Sequence, residues 1–410
     1  MSQSAFYWKP VIVAWMAVTV AQMGVGLMLP ALPAISADLS ISNADTQWYI
    51  SAYLLGFGTS QLIYGPLSDA LGRRPVLLSG LTIALLGALT CALNTESAEL
   101  ILLGRLLQGI GAGSASVLSR AMIRDCYNGP QLTLAISYVG IAAAFTPMLA
   151  PFLGGLISHH LGWAFLFSLM AGYICLITFV LFFQFAETRH GEPQPFTPAS
   201  VVGGYIKLLG DRYFLGYAGI NWLFFTAAIL TASVMPFLLQ QEVGLDASEY
   251  GRWSLVPAFF TMVGSFSANK LRHRLNEQQR LQIAFGILGC AALMYLTAPL
   301  NLYWLIASHC LFTMAFGIGF MISLSCLLQP YSQNAGAVSA LSGCIQMLMA
   351  SLGSAAMIKM GINTPTSVGA VLLIAVGCCV MLHHIGRYAN QRAIPEDNGF
   401  THLSCQSRAD

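Results

Sequence analysis

Charged side chains are scarce in this chain of 410 residues. Asp, Glu, Lys and Arg make up 8% of it, whereas 56% of the residues are hydrophobic. An ordinary soluble domain has roughly 25% charged residues. A soluble protein of this length also exposes a large fraction of its surface, so it cannot bury so many apolar side chains. The composition excludes an ordinary soluble protein and predicts that lipid surrounds most of the chain.

The chain also lacks the motifs of several catalytic classes. Its ten cysteines form no metal-ligand spacing, and most lie in hydrophobic runs, which favours a packing role. No phosphate-cradling loop or nucleotide motif is present, and nothing indicates a nucleic-acid partner. The enzyme alternative would use His159, His160 and Cys126, but no Ser, Asp or Cys partner lies near the two histidines in sequence. We therefore predict that the protein is not an enzyme and uses no cofactor or metal.

Hydrophobic runs of about 20 residues, the length that a bilayer requires of a helix, recur along the sequence. Twelve can be marked, at residues 11–30, 48–66, 76–94, 100–122, 132–157, 163–185, 214–239, 251–269, 282–298, 302–327, 336–358 and 367–386. Small residues follow the first run, but that run is longer than the hydrophobic region of a cleaved signal peptide. The fold is therefore predicted to be an all-α membrane protein with twelve transmembrane helices.

Positive charge is distributed unequally between the loops. When the loops are assigned alternately to two sides, one side holds fifteen Lys and Arg residues. The other side holds only Arg252 and Lys359, and Arg105 lies within a span. Cytoplasmic loops carry the Lys and Arg excess. Both termini are therefore predicted to be cytoplasmic.

A polar stretch at residues 186–212 divides the spans into six and six. It contains ETRHGEPQPFTP, whose three prolines and mixed charge are typical of a linker. The following segment, ASVVGGYIKLLGDRYF, is predicted to lie along the membrane face as a short amphipathic helix.

Two patterns of the first six spans recur in the second six. The motif Gly-Ile-Gly at residues 109–111 recurs at 317–319, and GSFSANKLRHRL (264–275) resembles GPLSDALGRRP (65–75). We therefore predict two pseudo-symmetric six-helix halves with substrate between them. The predicted segments are the first half at 1–185, the cytoplasmic linker at 186–212, the second half at 213–388 and a cytoplasmic tail at 389–410.

Several motifs resemble those of the major facilitator superfamily. GPLSDALGRRP resembles the link between the second and third helices of that superfamily, and RLLQGIGAG (105–113) resembles its fourth-helix signature. TPMLAPFLGG (146–155) resembles the fifth-helix signature of drug/proton antiporters, and LPALPAI (29–35) the first-helix ending of bacterial drug exporters. The chain is similar to the EmrD-like multidrug exporters of the Bcr/CflA group. This resemblance implies the major facilitator fold and proton-coupled multidrug efflux across the bacterial inner membrane by alternating access, a route to antibiotic resistance.

By the same resemblance, the link at 65–75 gates transport by holding the two halves together in the outward-facing state. The gating residues are Gly65, Asp69, Gly72, Arg73 and Arg74. The glycines and prolines are expected to make a tight turn, and Asp69 to accept hydrogen bonds from basic residues or a helix N-terminus. The alternative is a plain turn, which would explain the arginines but not the Asp69-x-x-Gly72 spacing. Many relatives have a basic residue where this chain has Ala70, so one contact of the link is expected to be missing.

Proton coupling has no obvious carrier, because no Asp or Glu lies inside the twelve predicted spans. Asp125, beside Arg124, is the preferred titrating group, with an ordinary surface ion pair as the alternative. Arg105 lies inside a span, where a charge costs about 2.5–3.5 kcal/mol, so it is predicted to tune a nearby acid or to assist proton transfer. Its alternative is snorkelling towards the helix end. His309 is a third candidate, with a hydrogen-bonded core histidine as the alternative.

The fifth span combines helix-bending and small residues: Gly140, Pro147, Pro151, Gly154 and Gly155. Prolines bend a helix, and glycines allow a neighbour to approach closely. By resemblance, this span is the antiporter hinge and packs against a partner in the other half.

A pocket for amphipathic drugs needs aromatic walls, flexible Met and a few polar groups. The candidates are Gln22, Met23, Tyr53, Gln61, Tyr64, Tyr138, Asn221, Trp222 and Phe225. The alternative is that the aromatic residues pack against lipid or form interfacial belts.

The expected substrates are lipophilic neutral or monocationic drugs, because no buried acid is available to select dications. The expected partners are such drugs, protons and membrane lipid, with the proton gradient as energy source and the protein as a monomer. The competing function is export of one metabolite, an amino acid or a sugar, with incidental drug efflux.

Overall fold

The structure, a computed structural model, describes residues 6–189, 198–297, 299–331 and 335–393. These residues contain twelve long helices: α1 Lys9–Asp38, α2 Asn43–Leu71, α3 Arg73–Leu93, α4 Ala98–Cys126, α5 Gly129–Leu161, α6 Ala164–Gln184, α7 Arg212–Glu242, α8 Ala247–Lys270, α9 Glu277–Leu296, α10 Leu302–Tyr331, α11 Ala335–Lys359 and α12 Pro365–Ala393. They coincide with the twelve predicted spans to within eight residues at every end, so the predicted all-α fold is confirmed.

Among the described residues, ten of these helices are long and apolar enough to cross a membrane. The other two, α2 and α8, are of similar length but carry more Ser, Thr, Gln and Tyr. Both helices pack against the opposite half of the molecule. Their polarity is therefore compatible with spanning the membrane.

Proline and local π geometry interrupt three of the long helices. In α1, a 3-10 turn at Leu29–Ala31 contains Pro30, which has no backbone N–H to continue the helix. Single π turns lie at Leu238–Glu242 in α7 and at Met349–Gly353 in α11. Such turns leave backbone carbonyls available to outside donors.

A short helix, Pro198–Leu209, lies between α6 and α7 and is called the linker helix below. Its side chains Val202, Ile206 and Leu209 are exposed, as expected of an amphipathic helix at a membrane surface. The preceding residues 190–197 of the predicted linker lie outside the described residues, as do residues 394–410 of the predicted tail.

The helices form two bundles, α1–α6 and α7–α12. The largest buried hydrophobic cluster lies entirely between Phe214 and Cys379, and a second cluster lies between Val11 and Phe185. A third cluster belongs mainly to the first bundle but includes Ile229 and Ala350 of the second. The bundles therefore have separate cores and meet along part of their length.

Equivalent glycines bring equivalent helices together in the two bundles. A Cβ at Gly109 of α4 would overlap the backbone of Tyr53 in α2, and one at Gly317 of α10 would overlap the backbone of Thr261 in α8. The glycines on the partner helices are Gly56 and Gly264, so each equivalent pair is separated by the same 208 positions. The repeat indicated by the two Gly-Ile-Gly motifs therefore corresponds to a repeated helix crossing.

The two bundles are hydrogen-bonded to each other at one end, which we call the closed end. There the hydroxyl of Ser51 in α2 donates to the Ser351 carbonyl in α11 at 2.9 Å, and the Ser351 hydroxyl donates to the Ser51 carbonyl at 2.7 Å. Further bonds at this end are Asn43 Nδ2 to Gln241 Oε1, Gln47 Nε2 to Ser354 Oγ, and Gln240 Nε2 to the Pro30 carbonyl.

At the opposite end, which we call the open end, α5 is uncovered. No atom of the described residues lies within 4 Å of a Cβ built on Gly140, and Phe145 is exposed. The hydrogen bonds between the halves named above therefore all lie at the closed end.

Candidate functional site

Arg105 is completely buried in α4 and joins three helices of the first half. Its Nε donates to the Tyr49 carbonyl in α2 at 3.1 Å, and its Nη2 donates to the Gly24 carbonyl in α1 at 2.6 Å. Its Nη1 donates to Gln108 Oε1 at 2.5 Å. The guanidinium thus lies within the bundle, and snorkelling, the alternative interpretation, is wrong.

An aromatic ring completes the surroundings of this guanidinium. The Arg105 carbon Cζ lies 4.5 Å from the centre of the Tyr53 ring, a cation–π distance. The Tyr53 hydroxyl donates to the Ala21 carbonyl at 2.7 Å. Neutral acceptors and a π face, rather than a carboxylate, therefore stabilise this charge.

Asp125, the preferred titrating group, is not the acid near Arg105, because both residues lie in α4 and are far apart along it. Twenty residues of continuous helix separate them, which corresponds to about 30 Å. Asp125 pairs with Arg73 of α3, at 3.0 Å between Oδ2 and Nε, and the neighbouring Arg124 is exposed. Asp125 therefore belongs to the gating link and cannot exchange a proton directly with Arg105.

Arg73 is the centre of the gating link. Its Nη1 lies 2.6 Å from Asp69 Oδ1 and also donates to Ser68 Oγ, while its Nε reaches Asp125. Two carboxylates from α2 and α4 therefore share one guanidinium from α3. The Asp69 side chain remains 48% exposed, so it is accessible to a further partner.

The turn of this link is shorter than the sequence predicted. Gly65 and Pro66 lie inside α2, which continues to Leu71. The turn is made by Gly72 alone, whose φ of 102° lies in the region that favours glycine. The expectation that Gly65 forms part of the turn is therefore wrong.

Glu187 and Arg189, which directly follow α6, fasten this turn and were missed from the sequence. The Glu187 carboxylate accepts hydrogen bonds from the backbone N–H groups of Arg73 and Arg74 at 2.8 and 3.1 Å. It therefore caps the N-terminus of α3. Arg189 Nη1 donates to the carbonyls of Asp69 and Ala70 at the end of α2. Arg189 thus supplies, from the residues after α6, the basic group that is absent at Ala70.

Burial and hydrogen bonding act in opposite directions on Glu187. Partial burial raises the pKa of its carboxyl, but the backbone N–H groups of Arg189, Arg73, Arg74 and Thr188 outweigh burial and lower that pKa below its usual value. The sequence signal is the segment ETR shortly after the predicted span 163–185, in the stretch that the sequence predicts to be a linker.

The histidine candidate His309 has a partner in the second half. Its Nδ1 lies 2.9 Å from the Tyr295 hydroxyl, and its ring stacks on Phe312 at 5.8 Å. This environment resembles the core-histidine alternative. His383 in α12 was missed: it is 3% exposed, and neither ring nitrogen has a hydrogen-bond partner among the described residues.

Several predicted pocket residues support the bundles instead of lining open space. Asn221 is buried and donates to the Phe320 carbonyl, and the Trp222 indole donates to the Ser342 carbonyl at 3.0 Å. Tyr64 lies in the core of the first half, and the Tyr138 ring packs near Trp8. Asn221, Trp222, Tyr64 and Tyr53 are therefore buried in their bundles and not free in a pocket. Tyr138 is half-buried, and its place in the pocket stays a prediction.

Of the remaining candidates, Gln61 lies at the boundary between the halves. Gln22 and Met23 are half-buried on α1, and the Gln61 amide lies within about 4 Å of the Cβ position of Gly343 in α11. Phe225 is also half-buried, with its ring 6.2 Å from that of Phe320.

Two aromatic residues of this region were missed. Phe316 and Phe320 are four residues apart on one face of α10, with ring centres at 5.0 Å. Together with Phe225 they form what we call the aromatic row. These half-buried rings offer apolar and π surface to a flat lipophilic molecule.

The fifth helix has the predicted small residues, but only part of it contacts the other half. A Cβ at Gly155 would overlap the Ala247 carbonyl in α8 and lie 3.0 Å from the Gly251 Cα, whereas Gly154 contacts Leu27 in its own half. Pro151 also faces α8, since its carbonyl lies 3.1 Å from the Cβ position of Gly251. Gly140 and Pro147 are exposed, so the predicted packing against the other half is wrong at these two positions.

Comparison with known proteins gives the same fold and family. Residues 14–354 match the family described as Major Facilitator Superfamily. The Multidrug resistance protein MdtL of Klebsiella pneumoniae (strain 342) is 30% identical over 381 residues, which cover 90% of this chain and 95% of that protein. MdtL of Shewanella oneidensis is 29% identical over 365 residues, which cover 88% of this chain and 90% of that protein.

Solved structures show the same fold at low sequence identity. A bacterial homologue of the human lysosomal transporter Spinster, in an inward-facing and unoccupied conformation, has a TM-score of 0.70 at 15% identity and covers 95% of this chain and 98% of its own. The POT family transporter PepTSo has a TM-score of 0.73 at 12% identity, and the match covers 94% of this chain and 99% of that one. With its motifs, its helices and the long family match, the chain is a multi-pass membrane protein that belongs to the Major Facilitator Superfamily.

Proposed function

We propose that this protein exports lipophilic drugs by proton-coupled alternating access. The observation that carries the proposal is the arrangement of the two bundles, which are hydrogen-bonded across Ser51 and Ser351 at the closed end, whereas α5 is uncovered at Gly140 towards the open end. The similarity to MdtL over 90% of the chain supports a drug as the transported molecule.

The aromatic row supports neutral or monocationic lipophilic substrates. Phe225, Phe316 and Phe320 offer apolar surface and π faces, which attract single positive charges as well as neutral rings. The described carboxylates lie at helix ends, remote from these rings in sequence. A dication would therefore have little to offset its desolvation.

The proposed location is the inner membrane, with both termini in the cytoplasm as the Lys and Arg distribution indicates. The closed end then faces the periplasm, and the structure represents an inward-facing state. In this proposal the energy source is the proton gradient, no cofactor or catalytic step takes part, and a monomer suffices. Export of one amino acid or sugar remains the competing function.

The test is transport by the purified protein in liposomes under an imposed pH gradient. A fluorescent lipophilic substrate and a dye for internal pH are followed together. Drug movement that drives a reciprocal proton flux, and that stops with a proton ionophore, supports antiport. If no drug moves under any gradient, multidrug export is wrong, and a screen of amino acids and sugars tests the competitor.

Single substitutions in the same assay identify the proton carrier. Asp125→Asn and Asp69→Asn remove the two carboxylates around Arg73, and His309→Gln removes the histidine beside Tyr295. A carrier variant exchanges substrate down its own gradient but no longer couples that exchange to protons. Glu99→Gln, at an exposed helix start, is the matched control.

A further inference from the structure

A histidine and an aspartate from opposite halves face each other at the closed end. Nδ1 of His159, in the last turn of α5, lies 3.8 Å from Oδ1 of Asp246, directly before α8. Their side chains are 42% and 44% exposed, so water and protons reach both. The contact is an ion pair only when the histidine is protonated.

Closure of the two halves determines this distance. Gly155, one turn before His159, is the residue whose missing Cβ lets α5 contact the Ala247 backbone of α8. His159 therefore lies on the same face of α5 as the closest helix contact between the halves. Separation of α5 from α8 at this end would also separate His159 from Asp246.

The position of the Asp246 carboxylate is fixed by its own helix. Its Oδ1 accepts a hydrogen bond from the Glu249 backbone N–H at 2.7 Å, and Glu249 Oε2 accepts one from the Asp246 N–H at 3.1 Å. This capping box is local to α8 and does not require the other half. The acceptor is thus in place before the halves close.

The other charged groups at this end are predominantly acidic. On α8 they are Glu249 and Arg252, and at the end of α1 Asp38 accepts a hydrogen bond from the Trp163 indole at 2.6 Å. The others lie at the ends of further helices: Asp45 on α2, Glu96 and Glu99 at the start of α4, Glu242 on α7 and Lys359 on α11. On α5 itself, the His160 ring contacts the His159 ring edge to face at 4.8 Å. A proton gained at His159 therefore enters an acidic rim.

We propose that His159 and Asp246 form a proton-sensitive contact that favours the closed arrangement of this end when His159 is protonated. Histidine is the side chain that ordinarily changes charge between pH 5 and 8. If the closed arrangement binds the proton more tightly than the open one, protonation raises the closed-to-open ratio. The factor is the ratio of the two proton affinities. For exposed ion pairs of this kind, the expected change in the closed-to-open ratio is about 1.5- to 5-fold.

The consequence for transport rests on the proposed export function. Acid outside the closed end would shift the empty protein towards the state closed at that end. His159 does not carry the proton across the membrane, because it lies at the rim of the bundle in the last turn of α5. The contact regulates the cycle and leaves the coupling site elsewhere.

The experiment measures the separation of the two halves without substrate or pH gradient. Spin labels on Leu161→Cys and Met360→Cys, exposed residues of opposite halves at this end, report the closed and open populations in lipid nanodiscs between pH 5.5 and 8. The background is the full chain with its ten native cysteines replaced by serine. Hydrogen exchange of residues 151–161 in the unlabelled protein gives a second, cysteine-independent measurement.

We expect the closed-to-open ratio to rise about 1.5- to 5-fold as the pH falls. His159→Gln and Asp246→Asn should abolish this dependence, and asparagine preserves the helix cap because it is an equally good N-cap residue. The matched control His160→Gln should keep the dependence. A pH-independent wild type, or a full response in His159→Gln, would overturn the inference. Because the populations are measured without transport, a failed drug assay would leave this result unaffected.

Discussion

At the scale of single residues, the unusual group is a buried arginine without an acid. Arg105 uses three of its nitrogens on three oxygens from α1, α2 and α4, and the Tyr53 ring covers its face. A planar guanidinium can satisfy acceptors in several directions at once, whereas an ammonium is a point charge. The geometry therefore requires arginine, and not simply a positive charge.

The first prediction concerns Arg105→Lys. Lysine cannot reach all three acceptors, and each buried carbonyl left without a donor costs about 1–3 kcal/mol. We expect a lower thermal unfolding midpoint in detergent and at least a roughly tenfold loss of drug transport. Arg124→Lys, at an exposed position of the same helix, should leave both quantities unchanged. If Arg105→Lys unfolds at the same temperature as the wild type, these hydrogen bonds contribute little to stability.

At the scale of elements, the turn between α2 and α3 is stabilised from a distant part of the chain. Glu187 caps α3, and Arg189 contacts the last carbonyls of α2, so the residues after α6 hold both ends of the turn. The start of the connection between the halves is thus attached to the gating link. Movement of one is expected to affect the other.

The second prediction concerns Glu187→Gln and its pH dependence. Glutamine replaces one carboxylate oxygen by an NH2 donor and carries no charge, so one of the two oxygens that accept from Arg73 and Arg74 is lost. We expect residues 69–76 of Glu187→Gln to exchange hydrogen faster than those of the wild type, after normalisation to unfolded rates. The control Glu99→Gln should exchange like the wild type in this segment.

The pH dependence of this cap has a defined sign. Because the folded-state pKa of Glu187 is lowered, the stabilisation is complete above the ordinary glutamate value of about 4.3. It is lost as the pH falls through the lowered pKa. The wild type should therefore show an acid-induced rise in exchange of residues 69–76 that the glutamine variant lacks, and an identical rise in both would contradict the assignment.

The third prediction concerns the crossing of α5 and α8. Gly155→Ala places a methyl group against the Ala247 carbonyl, which forces the helices apart, and overpacking of this kind costs about 1–3 kcal/mol. We expect the closed population, measured between labels at 161 and 360, to fall at least about fivefold. The control Gly140→Ala has open space around the added Cβ and should not change the closed population. An unchanged population in Gly155→Ala would exclude this crossing as a determinant of closure.

At the scale of the whole molecule, closure depends on contacts between residues three hundred positions apart. Ser51 and Ser351 exchange hydrogen bonds through their hydroxyls and carbonyls, and Ser351 lies in the π turn of α11. These bonds must break for the closed end to open, because they join different halves. They are therefore candidates for setting the balance between the two states.

The fourth prediction concerns Ser51→Ala and Ser351→Ala. Each variant removes one interhelical hydrogen bond worth about 0.5–1.5 kcal/mol, so each should lower the closed population about 2- to 12-fold. The double variant should lower it further in the same distance measurement. Ser137→Ala, whose hydroxyl bonds only to Thr133 of its own helix, is the control. A double variant that closes like the wild type would show that packing alone holds this end.

The amino-acid sequence by itself determined the number of helices, their approximate limits and the repeat of the two halves. Run length, the Gly-Ile-Gly motifs and the link from Asp69 to Arg74 are local properties of the chain, and the superfamily resemblance depends on the same local motifs. The structure agrees with all of these, with helix ends within eight residues of the predicted limits.

Only the tertiary structure decided which residues are partners. Arg73 pairs with Asp125, Glu187 caps α3, Tyr53 lies beneath Arg105, and His159 faces Asp246. These contacts join residues distant in sequence, and a side chain's neighbours depend on how whole helices cross. The physical reason is that hydrophobicity acts on each segment separately, whereas hydrogen bonds and ion pairs require distances that only the packed bundle defines.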